Sequence, residues 1–542
     1  MNSIDIAITG GKVYDGTGAP PQSANIGISG DRIVFPLKDE EVKKAKRIID
    51  AKGLSISPGF INIHGHSEGS MLVDGRTASS LCQGITTEVL GNCSMSMAPL
   101  YGECVTEMNK DLEEYGVAVS WEDFDGFFNA LLQKGISVNV MSFVGQGTVR
   151  GSIMGFDDRK PTPEEMQKMK DAVALMMDQG AWGLSTGLIY SPSSYADTEE
   201  IVELAKVAAE KGGIYATHIR GEGDRVIGAI EEAIEIGRRS NAPLEICHLK
   251  AAGTKNWGKV PKILEMIREA RASGMIIQHD QYPYTISATS LSAILPEWSL
   301  VGGIEKAVER FKDPVQRQKI LNEMNETYYS NGDNIIVSNV KNEKNTIYEG
   351  RIIEEIAREK GMNPFDFVLD LLIEEELAVG AIYMSMCEEN VREIMQDPYT
   401  AICTDAWARA EDGPLCKGKP HPRTYGSFPR VLGKYARDEK LFSTAEAVRK
   451  MTTLPAAMLG LDGRGKITDG FAADLVIFDE ETIADMSTIQ DPHRYAVGIP
   501  YVIINGVIAL EKGVISAERP GRVLRSSEEG IKKQESKYAR AV

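Results

Sequence analysis

Between residues 213 and 284 short apolar runs alternate with amphipathic ones, and that alternation limits the fold more than any other feature of the chain. GIYATHIR (213–220), PLEICHLKA (243–251) and MIIQHDQYPY (275–284) are short and mostly apolar, as strands buried on both faces should be. Between them, GDRVIGAIEEAIEIGRRS and VPKILEMIREARASG carry apolar residues at helical spacing, including Val226, Ile230, Ala233, Ile234 and Ile236. A βαβα series of this kind predicts an α/β protein with a parallel sheet. A middle region of about 400 residues suits a (β/α)8 TIM-like barrel with insertions better than a small open sheet. Residues 297–400 are long for one connection. They read as further βα units plus an inserted helical excursion over Gly302–Tyr329 and Ile352–Glu376.

The two ends look different from the middle and like each other. Residues 1–57 hold short β-like runs (IDIAITG, KVYDGTG, ANIGISG, RIVFPL, RIIDAKG) broken by Gly, Asp and Pro, which predicts a small antiparallel unit. GKITDG, ADLVIFD and YVIINGVIALEKG repeat the pattern near the C-terminus. Because chain ends often lie close together, residues 1–57 plus 464–542 are expected to form one small β-sandwich domain. Residues 58–463 are then the catalytic barrel, with an insertion around 297–400. Length alone, 542 residues, would have suggested roughly three to four domains. The final EEGIKKQESKYARAV reads as a polar tail.

The formal net charge of −18 argues against nucleic-acid binding, which relies on Lys and Arg contacts to phosphate. The start shows no basic segment followed by an apolar one, and no apolar run is long enough to span a bilayer. With seven scattered Cys, this predicts a cytoplasmic protein with reduced thiols and no membrane contact. The oligomeric state is not fixed by the sequence.

Seven His occur in the whole chain, so their placement is informative. His64-Gly65-His66 ends the apolar run LSISPGFINIHGH, and residues i and i+2 of a strand point to one side. In isolation such a pair also fits two imidazoles hydrogen-bonding in a loop. His218 and His248 lie near the ends of successive predicted strands, one βα repeat apart, and so on the rim where barrel active sites are built. Four imidazoles converging there predict a metal site, with zinc the common partner. Cys93, in GITTEVLGNCSMSMAP, follows a strand-like run and fits either a zinc ligand or a buried structural thiol. Asp405, in YTAICTDAWA, fits a metal ligand, a general base or a helix N-cap. His279 reads as structural, His421 as shaping the loop beside Arg423, and His493 carries no assigned role.

SPGFINIHGHSE, LCQGITTEVLGNCSMSMAP, GAWGLSTGLIYSP, ATHIRGEGD, EICHLKAAG, DQYPYT, CTDA and HPRTYGSFPRVLG together resemble the D-aminoacylases (N-acyl-D-amino-acid deacylases) of the amidohydrolase superfamily. The resemblance covers most of the chain. It implies a metal-dependent barrel with a small β-domain built from both termini. It also implies hydrolysis of N-acyl-D-amino acids to a carboxylate and a free D-amino acid by zinc-activated water. Residue by residue, Cys93, His218 and His248 resemble a tight zinc site. His64, His66 and Asp405 resemble a second, weaker or partly occupied metal position. Asp405 would be general base and then acid. Lys250, Tyr282 and Arg423 resemble the residues that hold the substrate α-carboxylate, and Tyr190 a pocket residue. Arg423 can grip a carboxylate bidentately and Lys250 adds a point charge, so an anionic small molecule suits this acidic protein.

The chain departs from that pattern at Thr404-Asp405-Ala406, where Ser-Asp-Gly is usual, and at Gln146, where a His is expected. Two other readings compete. A cyclic-amide hydrolase resembling hydantoinases or dihydroorotases would need a carboxylated Lys to bridge its metals, and the stretches around Gly145 and GLSTGL show none. A non-catalytic metal- or ligand-binding barrel would have no use for Asp405.

Overall fold

A computed structural model describes residues 3–327, 332–526 and Tyr538. The parallel barrel and the small β-domain are both present. A three-stranded parallel sheet (Phe60–Asn62, Ile85–Leu90, Asn139–Ser142) and a six-stranded one meet where the third strand breaks at Phe143 and resumes as Val144–Gly145. Gly183–Gly187, Ile214–His218, Leu244–Ile246, Ile277–Gln281 and Thr400–Ile402 follow in spatial and chain order, completing eight barrel strands. The register runs Gly187↔His218, Thr217↔Ile246, Ile246↔His279 and Gln281↔Ile402. Between strands eight and one, Asn62 closes the ring. Its Nδ2 donates to Thr404 Oγ1 and its Oδ1 accepts from Thr404 N, both at 2.9 Å.

Local sequence explains the helices that wrap the barrel. Val226–Ser240 buries Val226, Ala229, Ile230, Ala233, Ile234 and Ile236, the stripe that its spacing predicts. Arg238 and Arg239 in its last turn complement the helix dipole, and Asn241 ends it in the left-handed region at φ 57°. Pro163–Asp178 starts on a Thr162/Glu165 capping box with Pro163 in the first turn. No helix among the described residues is long and apolar enough to cross a membrane.

The small domain has a seven-stranded sheet in which Leu475–Phe478, from the C-terminal end, runs antiparallel to Ser55–Pro58, from the N-terminal end. A four-stranded sheet packs beside it around Ile8, Ile26, Ile28, Ile56, Leu475 and Ile503. This unit is not purely antiparallel, because Ile6–Thr9 pairs in parallel with Arg47–Asp50.

Two further features differ from the sequence reading. The region read as extra βα units forms an antiparallel sheet, with Gly380–Tyr383 between Ser287–Ser290 and Ile335–Asn339. The helices Gly303–Lys312, Pro314–Thr327, Ile353–Lys360 and Pro364–Glu374 accompany it, with Leu291, Phe311, Val337, Val368 and Ala381 in a separate core. Residues 328 and 329 of the predicted excursion lie outside the described residues. Residues 519–526 also leave the small domain and line up against barrel strand three. Gly521 N donates to Ile136 O and Leu524 N to Val140 O, each at 2.8 Å, and Trp182 Nε1 donates to Leu524 O at 2.7 Å. Of the predicted polar tail, only Tyr538 is described. It is buried, and its hydroxyl donates to Ile277 O at 3.0 Å.

A buried ion pair anchors the helix after strand three. Arg150 is fully buried and pairs with Glu200, which also accepts from Gln146 Nε2 at 2.9 Å. Gln146 Oε1 in turn accepts from Ser193 Oγ at 2.5 Å. Gln146 therefore ties helices together. Removing one partner of such a pair strands the other charge, so Glu200→Ala is expected to destabilise the protein by about 3–5 kcal/mol in chemical denaturation. A change below about 1 kcal/mol would show that water enters and solvates Arg150 instead.

Candidate metal centre

Six side chains meet at the C-terminal ends of the barrel strands. His64 and His66 follow strand one, Cys93 follows strand two, His218 ends strand five, His248 follows strand six and Asp405 follows strand eight. Cys93 Sγ lies 3.4 Å from His64 Nε2, 3.7 Å from His218 Nδ1 and 3.7 Å from His248 Nε2. His66 Nε2 lies 3.2 Å from His64 Nε2 and 3.2 Å from Asp405 Oδ1, which is 3.4 Å from His64 Nε2. All six positions proposed from the sequence are thus brought together, and His64 stands between the two groups.

The backbone makes unusual turns to do this. Cys93, His248 and Asp405 have φ of 49°, 35° and 48°, in the left-handed region that side chains with a Cβ rarely adopt. Such residues cost on the order of 1–3 kcal/mol each and persist where surrounding contacts hold them. Here the turns are pinned. His248 N donates to Asp280 Oδ1 at 2.8 Å, and Asp405 N donates to His64 O at 2.9 Å. His66 N donates to Ala406 O at 3.0 Å, so Thr404-Asp405-Ala406 makes its turn without a glycine. Gly65 is needed between the two His, since a Cβ there would lie 2.8 Å from Glu88 Oε2 and 2.9 Å from Asn62 Nδ2.

Electrostatics favours a thiolate and a carboxylate among imidazoles. Burial alone would raise the Cys93 thiol, but the charge of His64 and hydrogen bonds from His218 and His248 hold it well below its ordinary value. Burial likewise opposes ionisation of Asp405, and Arg423 and His248 overcome it, holding the carboxyl well below the usual range. These donors fit zinc. Zn–N bonds of about 2.0–2.1 Å and Zn–S of about 2.3 Å place tetrahedral ligand atoms about 3.4–3.7 Å apart, the spacing found around Cys93. Thiolate and imidazole are the ligand types that zinc prefers.

The proposed carboxylate-binding residues adjoin this cluster. Arg423 Nη1 lies 2.7 Å from Asp405 Oδ2, and Arg423 Nη2 donates to Ala288 O at 3.1 Å. Lys250 Nζ donates to Glu222 Oε1 at 2.5 Å, and burial fails to neutralise it because Glu222 keeps the ammonium charged. The Tyr282 ring lies between them, 4.6 Å from the Arg423 guanidinium carbon and 5.6 Å from Lys250 Nζ. Tyr190 packs edge-on to His218 at 5.2 Å, and its hydroxyl shares a 2.9 Å hydrogen bond with Thr289 of the inserted sheet. His421 Nδ1 accepts from Arg423 N at 2.9 Å, which places it in the loop as expected. His279 shares a 2.8 Å bond with Thr400 Oγ1, and burial pushes it down to about 3, so it is a neutral structural imidazole.

Two residues at this site were not singled out in the sequence. Glu222 Oε1 lies 3.1 Å from His248 Nδ1 and 3.8 Å from His218 Nε2. Its signal was present as a His/Glu pair four residues apart in HIRGE. Asp280 holds the His248 backbone and approaches His64 Nδ1 at 3.6 Å.

A parallel barrel with imidazole, thiol and carboxylate groups at its rim is the build of an amidohydrolase, and the amidohydrolase family matches residues 55–313 and again 339–510. The D-aminoacylase of Alcaligenes xylosoxydans xylosoxydans is 34% identical over 96% of this chain and 97% of its own. The N-acyl-D-glutamate deacylase of Bordetella bronchiseptica, solved with zinc and a phosphonate mimic of the tetrahedral intermediate, is 33% identical. It superposes with a TM-score of 0.83 over 97% of this chain and all of the other. A D-aminoacylase structure with a binuclear metal centre, 34% identical, gives 0.81 over 96% and 100%. The chain belongs to the D-aminoacylase family of amidohydrolases and is a hydrolase.

Proposed function

We propose that the protein hydrolyses N-acyl-D-amino acids, releasing a carboxylate and a free D-amino acid. One observation carries this reading: the pair that can grip a carboxylate, Arg423 and Lys250, stands directly beside the imidazole–thiol cluster, with Arg423 Nη1 2.7 Å from Asp405. An amide one atom removed from that carboxylate would then lie next to the cluster. Cys93, His218 and His248 would hold the tighter zinc, and His64, His66 and Asp405 the second position. Zinc, when bound, supplies a Lewis acid that polarises the acyl carbonyl and acidifies water. Asp405 takes the proton of the attacking water and passes it to the leaving nitrogen, so one carboxylate serves as base and then acid. Arg423 offers two parallel N–H donors to the α-carboxylate, with Tyr282 fixing the guanidinium plane from below. Tyr190 and Thr289 close the side facing His218.

The same contacts favour a neutral side chain on the substrate. Both pocket cations already face a carboxylate, Glu222 or Asp405, and neither Ala288, which accepts from Arg423, nor Thr289 and Met386, which bond to Tyr190 and Tyr282, carries a charge. A buried, unpaired second carboxylate costs about 3 kcal/mol or more, on the order of a hundredfold. N-acetyl-D-Met, -D-Leu and -D-Phe are therefore expected to exceed N-acetyl-D-Glu and -D-Asp in kcat/KM by that factor. Comparable rates on the acidic substrates would overturn the preference, and no hydrolysis of any N-acyl-D-amino acid by zinc-loaded protein would overturn the function.

A further inference from the structure

Glu222 sits where it can decide which nitrogen of His248 carries the proton. His248 turns Nε2 toward Cys93 Sγ and Nδ1 toward Glu222 Oε1, at 3.7 and 3.1 Å. His218 does the reverse, with Nδ1 toward Sγ at 3.7 Å, while its Nε2 is 3.8 Å from the same Glu222 oxygen, beyond hydrogen-bond distance. A nitrogen that offers its lone pair to a metal requires the proton on the other nitrogen, and an outward carboxylate holds it there. A competitor is close by. Lys250 Nζ is 2.7 Å from His248 Nδ1, and an ammonium has donors only. Donating to Nδ1, Lys250 would force the proton onto Nε2 and turn the lone pair away from Cys93. Glu222 Oε1 both accepts from Lys250 Nζ at 2.5 Å and faces Nδ1, so it draws the ammonium toward itself and offers the imidazole an acceptor in its place.

We propose that Glu222 is a positioning residue: it draws the Lys250 ammonium toward itself, and it orients the His248 imidazole with its Nε2 lone pair toward Cys93. The proposal rests on Cys93, His218 and His248 being zinc ligands. The carboxylate does this from a half-buried turn, four residues past His218, and makes no contact with Cys93 itself.

The test is zinc retained by full-length protein after dialysis against a graded chelator buffer, read by atomic emission. Glu222→Gln is expected to weaken retention about 10–100-fold, the effect typical of losing an outer carboxylate. Glu222→Asp, which keeps the charge, is expected to weaken it less. Adding Lys250→Met to Glu222→Gln is expected to recover part of the loss, because the competing donor is gone. A purely structural role would not respond to Lys250. Unchanged retention in Glu222→Gln, or a double variant no better than the single one, overturns the proposal. His218→Ala separates the two layers of the argument. If it too leaves zinc retention unchanged, the ligand assignment fails, whereas loss in His218→Ala with none in Glu222→Gln removes only the positioning role.

Discussion

Asp405→Asn is expected to lower hydrolysis by roughly 10²–10⁴-fold while the protein keeps its tightly held zinc. The amide cannot take a proton from water or return one to the leaving nitrogen, yet it nearly preserves size and shape. The contacts of Cys93 with His218 and His248 do not involve Asp405, and the turn at residue 405 is held by backbone bonds to His64 and His66 that the change does not touch. Rate and zinc content therefore separate in this variant. Full activity with zinc bound would remove Asp405 from the chemistry and favour the reading of a ligand-binding barrel. Parallel loss of zinc and activity would make Asp405 a structural support of the tight site.

Cys93→Ala is expected to do the opposite and lose both together. Its sulfur lies within 3.7 Å of three imidazoles, and its thiolate supplies the negative charge among them. Without it, zinc retention falls, and hydrolysis loses several kcal/mol of stabilisation, on the order of a thousandfold or more. Excess zinc is expected to restore activity only partly, since His218 and His248 remain but the thiolate does not. Cys93→Ala protein that holds zinc and works normally would assign the centre to other residues.

Parts of this molecule are legible one residue at a time. The 3.6-residue stripe from Val226 to Ile236 and the buried runs on either side identify a βα repeat, and the repeat places His218 and His248 on one rim. The proposal that they hold a metal follows from that geometry together with the resemblance carried by the surrounding motifs. The inserted sheet is not legible in the same way. Its central strand, Gly380–Tyr383, pairs with residues about 90 and about 45 positions earlier, and no local pattern names such partners. Residues 519–526 are likewise a short run without a clear pattern, and only their backbone bonds to Ile136 and Val140 make them part of the barrel wall. Glu222 escaped notice because an acidic residue in a Gly-rich turn looks like a solvated one. Its meaning lies in the distance to Lys250 and His248, which the fold creates.

The most direct test of the account is chiral analysis of the amine released from racemic N-acetylmethionine by zinc-loaded protein. The account predicts D-methionine alone, with consumption stopping when half the substrate is gone. Release of L-methionine, or of neither enantiomer, would contradict it.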